Sequence, residues 1–122
     1  MIRTKGLTHI HLLVRNMKRS LRFYQMVFGM KVTHKIGRKM AFLNTPGSRD
    51  VITLHEDADP GDIVGTTGGI AHFGFELTKT NLDAAITEVK KGGGRLVERG
   101  EHAPGIPYVY VADPDGYVIE LG

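Results

Sequence analysis

No cysteine and no tryptophan occur among the 122 residues. The first absence excludes a disulfide framework, a thiolate metal site and a thiol nucleophile, so any metal must be held by nitrogen and oxygen ligands. No apolar run reaches the roughly 20 residues of a membrane-spanning helix. The opening Met1-Ile-Arg-Thr-Lys-Gly6 lacks the apolar segment of a signal peptide, and the expected location is cytoplasmic. Charge of one sign is not concentrated either: 16 Lys and Arg stand against 13 Asp and Glu, a net +3, without a basic stripe or a recognised motif. That argues against a nucleic-acid partner. What is present, 41% hydrophobic and 24% charged residues, has the balance of one globular domain with its own core, spanning 1–122.

Local patterns divide the chain into elements. Thr8 to Val14 alternates as a strand, with His9, His11 and Leu13 on one face and Ile10, Leu12 and Val14 on the other. Asn16 is placed to cap a helix over Met17 to Phe28, whose stripe is Met17, Leu21, Tyr24 and Phe28 and whose stop is Gly29. Lys31 to Ile36, Lys39 to Asn44 and Val51 to His55 predict three meandering strands. Asp57 to Gly69, with four glycines and a proline, reads as a connector.

The pattern then begins again. Ile70 to Leu77 predicts a strand with His72, Gly74 and Glu76 on one face. Thr80 and Asp83 resemble a capping box opening a helix with Leu82, Ala85, Ile86 and Val89 as its stripe, closed by Gly92 to Gly94. Arg95 to Arg99 reads as a strand, and Ile106 to Val111 and Tyr117 to Leu121 form a hairpin about Asp113-Pro114-Asp115-Gly116. His72 repeats His9, and Val118-Ile-Glu-Leu121 repeats Val51-Ile-Thr-Leu54, so Thr53 occupies in the first half the place of Glu120 in the second. The expected fold is α+β: two βαβββ modules, about 1–56 and 70–122, forming a curved mixed sheet around a metal-binding cup. Two imidazoles at equivalent repeat positions, His9 and His72, plus the Glu120 carboxylate make a facial ligand set with open positions. Fe(II) suits it first, with Mn, Ni, Co or Zn also possible.

These stretches, THIHLLVRNMKRSLRFYQMVFGMKV, GGIAHFGFEL and DPDGYVIEL, resemble the vicinal-oxygen-chelate superfamily of glyoxalase I, bleomycin-resistance proteins, fosfomycin-resistance enzymes and type I extradiol dioxygenases. The resemblance covers essentially the whole chain. It implies the paired-module fold, metal ligands at His9, His72 and Glu120, a homodimer, and a small-molecule substrate that chelates through vicinal oxygens. The C-terminal signature of the extradiol enzymes is matched by Gly100-Glu101-His102, Val109-Tyr110, Asp113-Pro114-Asp115-Gly116 and Glu120. In that family His102 and Tyr110 would lie beside the substrate oxygens, with His11 or His55 as further proton carriers. A further catalytic histidine of that family aligns near Asp50-Val51, where none stands. Glyoxalase I usually has a fourth carboxylate ligand, at the place of Thr53. The expected activity is a dioxygenase narrowly ahead of a glyoxalase-type lyase or a fosfomycin-type thiol transferase, with a non-catalytic bleomycin-type binding protein as the non-enzyme alternative.

Overall fold

The computed structural model describes residues 1–57, 69–78 and 81–122. Its elements are β1 (Ile10–Val14), α1 (Met17–Phe28), β2 (Lys31–Ile36), β3 (Met40–Asn44), β4 (Ile52–Glu56), β5 (Phe73–Phe75), α2 (Leu82–Lys91), β6 (Arg95–Ala103), β7 (Ile106–Ala112) and β8 (Val118–Leu121). The βαβββ order therefore occurs twice. Hydrogen bonding groups the strands into two four-stranded mixed sheets, β1-β4-β3-β2 and β5-β8-β7-β6, each with its first and last strands parallel. The expected repeat is reproduced in register: His11 faces Thr53 across β1 and β4, and Gly74 faces Glu120 across β5 and β8. Among the described residues, no helix is long and apolar enough to cross a membrane.

Period-two alternation decides which face of each sheet is covered. Leu12, Val14, Leu43, Ile52 and Leu54 of the first sheet and Val109, Val111, Ile119 and Leu121 of the second are buried in one cluster with Phe23 and Tyr24 of α1 and Ile86 and Val89 of α2. Phe28 stacks on Phe75, ring centroids 4.2 Å apart, which ties α1 to the second module. The opposite faces of both sheets carry the polar residues considered below.

Asn16 caps α1 as expected, its side chain accepting from the Arg19 N–H, and Gly29 ends it at φ 63°. For α2 the expected box is corrected: the cap is Asn81, whose Oδ1 accepts from Ala84 N–H, and Thr80 lies outside the described residues. Asp83 is then one place too early for a box, and its carboxylate instead pairs with Arg99 at 2.8 Å. The strands reach only as far as their partners. β8 has four residues, so β5 keeps three rather than the expected Ile70 to Leu77, and His72 precedes it. β1 likewise starts at Ile10, opposite Ile52, leaving His9 just outside. β6 runs on to Ala103 because all of β7 folds back along it, and a bulge between Glu101 and Ala103 sets His102 out of the ladder.

The turn before β8 joins the modules. Asp113 is 3% exposed; its Oδ1 accepts from the backbone N–H groups of Asp115 and Tyr117, and its Oδ2 from the Tyr24 hydroxyl of α1 at 2.8 Å. Asp115, its side chain fully covered, accepts from the Arg15 N–H, the Arg19 guanidinium and the Ser20 hydroxyl. The Tyr117 hydroxyl donates to the Leu13 carbonyl of β1 at 2.8 Å. Burial raises the Asp113 carboxyl to about 6 despite these donors, and burial, then the Asp113 charge, pushes the Tyr24 phenol well above its usual value.

Removing the Tyr24 hydroxyl as Tyr24→Phe should cost about 1–3 kcal/mol in urea unfolding, because it strips a donor from a buried carboxylate. Because the folded state binds the Asp113 proton more tightly than the unfolded one, this group's contribution is present below about pH 4 and lost as pH rises through about 6. Unfolding curves between pH 4 and 7 should therefore contain a component of up to about 3 kcal/mol that favours the lower pH and vanishes in Asp113→Asn.

Candidate functional site

On the open face of the second sheet, Glu120 of β8 is flanked by two imidazoles. His102 Nε2 donates to its Oε1 at 2.5 Å, and His72 Nε2 lies 3.6 Å from its Oε2. Gly74 stands beside Glu120 in register, and a Cβ there would lie 3.1 Å from the Glu120 carbonyl oxygen, so the missing side chain keeps this flank of the carboxylate open. Tyr110 of β7 pairs with Glu120 across the strands, its ring 4.8 Å from that of His72. Loss of water, then the Glu120 charge, raises its phenol above the ordinary value. The sequence reading missed Tyr108, which stacks on His102 at 4.4 Å and also touches Tyr110. The signal for it was the alternation that places residues 108 and 110 on one face. Tyr108 lies flat over Gly100, where a Cβ would fall 2.8 Å from its hydroxyl. A cavity of about 320 Å³, bordered by Gly74, His102, Tyr108 and Glu120, opens here.

The open face of the first sheet carries the remaining predicted residues. His11 Nε2 and His55 Nδ1 share a hydrogen bond at 3.0 Å, their rings tilted and 5.2 Å apart. Loss of water, then the neighbouring His55 and His9, lowers the His11 pKa below the usual imidazole value. His9 hydrogen-bonds through Nδ1 to the Thr8 hydroxyl at 2.8 Å and borders a second cavity of about 380 Å³ that also touches Gly74 and Phe75. Thr53 is fully buried between them in register, and its Oγ1 has no partner among the described residues.

The structure thus gathers His72, His102, Tyr110 and Glu120 on one sheet and His9, His11 and His55 on the other. Among the described residues of one chain, no three His, Asp or Glu side chains converge on a point that would hold a metal ion. The donor chemistry of the Glu120 cluster, two imidazole nitrogens around a carboxylate that among the described residues has no lysine or arginine partner, nevertheless fits a borderline divalent ion.

The family model of the Glyoxalase/Bleomycin resistance protein/Dioxygenase superfamily matches residues 6–121. The chain belongs to this superfamily. It is 33% identical over 121 residues to a catechol-2,3-dioxygenase of Bacillus subtilis, covering 93% of this chain and 41% of that protein, so it spans less than half of that relative. To a lactoylglutathione lyase of Neisseria meningitidis it is 34% identical over 126 residues, covering 94% of this chain and 88% of the lyase. Among solved structures, a variant of the fosfomycin resistance protein FosX from Listeria monocytogenes, complexed with Mn(II) and 1S,2S-dihydroxypropylphosphonic acid, superposes with a TM-score of 0.78 at 22% identity. That match covers 98% of this chain and 90% of FosX and shows a shared fold.

Gly100→Ala should push the Tyr108 ring off His102 with little loss of stability, since the obstructing atom is the end of a side chain. The expected readout is a change in the His102 ring proton shifts, at a cost below about 1 kcal/mol in unfolding.

Proposed function

We propose that this chain is a metal-dependent enzyme acting on a small molecule that presents two vicinal oxygens, with extradiol-type dioxygenation as the first reading. The observation that carries it is the Glu120 carboxylate between His72 and His102, with Tyr110 alongside, on an open sheet face. His72 and Glu120 serve as ligands, with His9 as the third. Because His9 lies in the first module and no three donors converge among the described residues of one chain, a second copy supplies it in a homodimer. Fe(II) is the first choice of ion, with Mn, Ni, Co or Zn as alternatives. A bound divalent ion supplies Lewis acidity and a template for the two substrate oxygens.

The chain's own side chains then have separate tasks. His102 holds Glu120 in orientation and exchanges a proton with substrate placed in the adjoining cavity. Tyr110, in register with Glu120 and against the His72 ring, supplies a phenol beside the ligand pair, and Tyr108 fixes the His102 ring by stacking. The hydrogen-bonded His11 and His55 pair carries a second proton path from the facing sheet.

A glyoxalase-type lyase is the second reading, favoured by the match over 88% of the lactoylglutathione lyase against 41% of the dioxygenase. Oxygen uptake with a catechol panel after anaerobic Fe(II) loading supports the first reading. Isomerisation of a glutathione hemithioacetal without oxygen uptake supports the second. His72→Ala and Glu120→Ala should each lose metal by elemental analysis, and wild-type protein that binds no metal would sink both readings. Mixing His9→Ala with Glu120→Ala chains should regain metal and activity in the mixed dimer, where one site keeps all its ligands. No regain would place the site within one chain.

A further inference from the structure

Between the start of α1 and the end of α2 lies a cleft of about 380 Å³ bordered by Asn16, Lys18, Arg19, Arg22, Gly92 and Gly93. It is on the helix-covered side of the molecule, apart from the Glu120 cluster. Its charges are placed against the ordinary preferences of a helix. α1 contains no acidic residue, and its three cations all lie in its first half, where the helix dipole already presents partial positive charge. Lys18 and Arg22 are one turn apart on one helix face, a like-charge spacing that destabilises a helix.

Arg19 is compensated by Asp115 at 2.9 Å, with Arg15 also near that carboxylate at 3.7 Å. Among the described residues, Lys18 and Arg22 make no ion pair, and the Asn16 side-chain amide has no acceptor. The opposite wall is bare backbone. Gly92 has no room for a Cβ, which would fall 2.5 Å from a Val27 methyl, and Gly93 sits at φ +98°. The fold therefore demands the two glycines that leave the cleft open, and Lys90 and Lys91 end α2 beside it.

We propose that this cleft binds a small phosphate-type anion, a phosphate ester or pyrophosphate group. Arg19, held in orientation by Asp115, grips it with Arg22 and Lys18, and the Asn16 amide donates as a neutral partner. The span from residue 18 to 22 rises about 6 Å along the helix. That matches one or two phosphoryl groups and falls short of the several phosphates along a track that nucleic-acid binding requires. This site is independent of the metal reading.

The test is calorimetric titration of the full chain, metal-free and metal-loaded in parallel, with pyrophosphate, inorganic phosphate, a nucleoside diphosphate and a single-stranded 20-mer, each against sodium chloride at equal ionic strength, with thermal unfolding alongside. Pyrophosphate or the diphosphate should bind one per chain and raise Tm saturably, and chloride should not. Lys18→Gln with Arg22→Gln should raise Tm without ligand, since repulsion is removed. It should also weaken pyrophosphate binding by roughly tenfold for each cation lost, with metal content unchanged. No saturable binding to the wild type, a variant that binds as well as the parent, a variant less stable than the parent without ligand, or tighter binding of the oligonucleotide than of any small phosphate would each overturn the proposal.

Discussion

The two modules are held in their mutual positions by carboxylates that have been taken out of water. Asp113 and Asp115 sit in the turn before β8, and between them they accept from Tyr24, Ser20, Arg19 and the Arg15 amide of the first module. A buried carboxylate without donors is costly, so each of these contacts must form for the turn to be tolerated where it is. The arrangement is directional. A stack of apolar side chains would permit sliding, whereas two acids reading the first turns of one helix fix a single docking. β8 leaves this turn at once, and Glu120 is its third residue, so the placement of the site carboxylate follows from the joint.

The division of polar chemistry between the two open faces follows from the repeat. Each module offers the same scaffold, a first strand in parallel contact with a last one, and fills it differently. Where the second module has a carboxylate between two imidazoles, the first has the fully buried Thr53 with the His11 and His55 pair beside it. In the homodimer proposed above, His9 of one copy would join His72 and Glu120 of the other, donors that among the described residues do not converge within one chain.

Several departures from the sequence reading share one cause. A strand's extent depends on the strand beside it, so His9 and His72 fall just outside β1 and β5, although their own stretches alternate well. His102 is reached by a strand that was expected to stop at Arg99, and Tyr108 became visible as a partner only once β6 and β7 were laid side by side. The aspartates of the turn were legible as turn formers and not as anchors, because their partners lie in α1, some 90 to 100 residues away.

Alternation, capping and the internal repeat are local properties of the covalent chain. They were enough to set the two βαβββ units, the Asn16 cap, the helix-covered core and the residue types of the candidate site. Which of those residues meet is a matter of long-range packing. Tertiary structure alone joined Glu120 to His102, paired His11 with His55, buried the two turn aspartates against α1 and set Lys18 and Arg22 on the wall of a cleft. Such contacts depend on distances between segments far apart in the chain, and those distances are set only when the sheets and helices have docked.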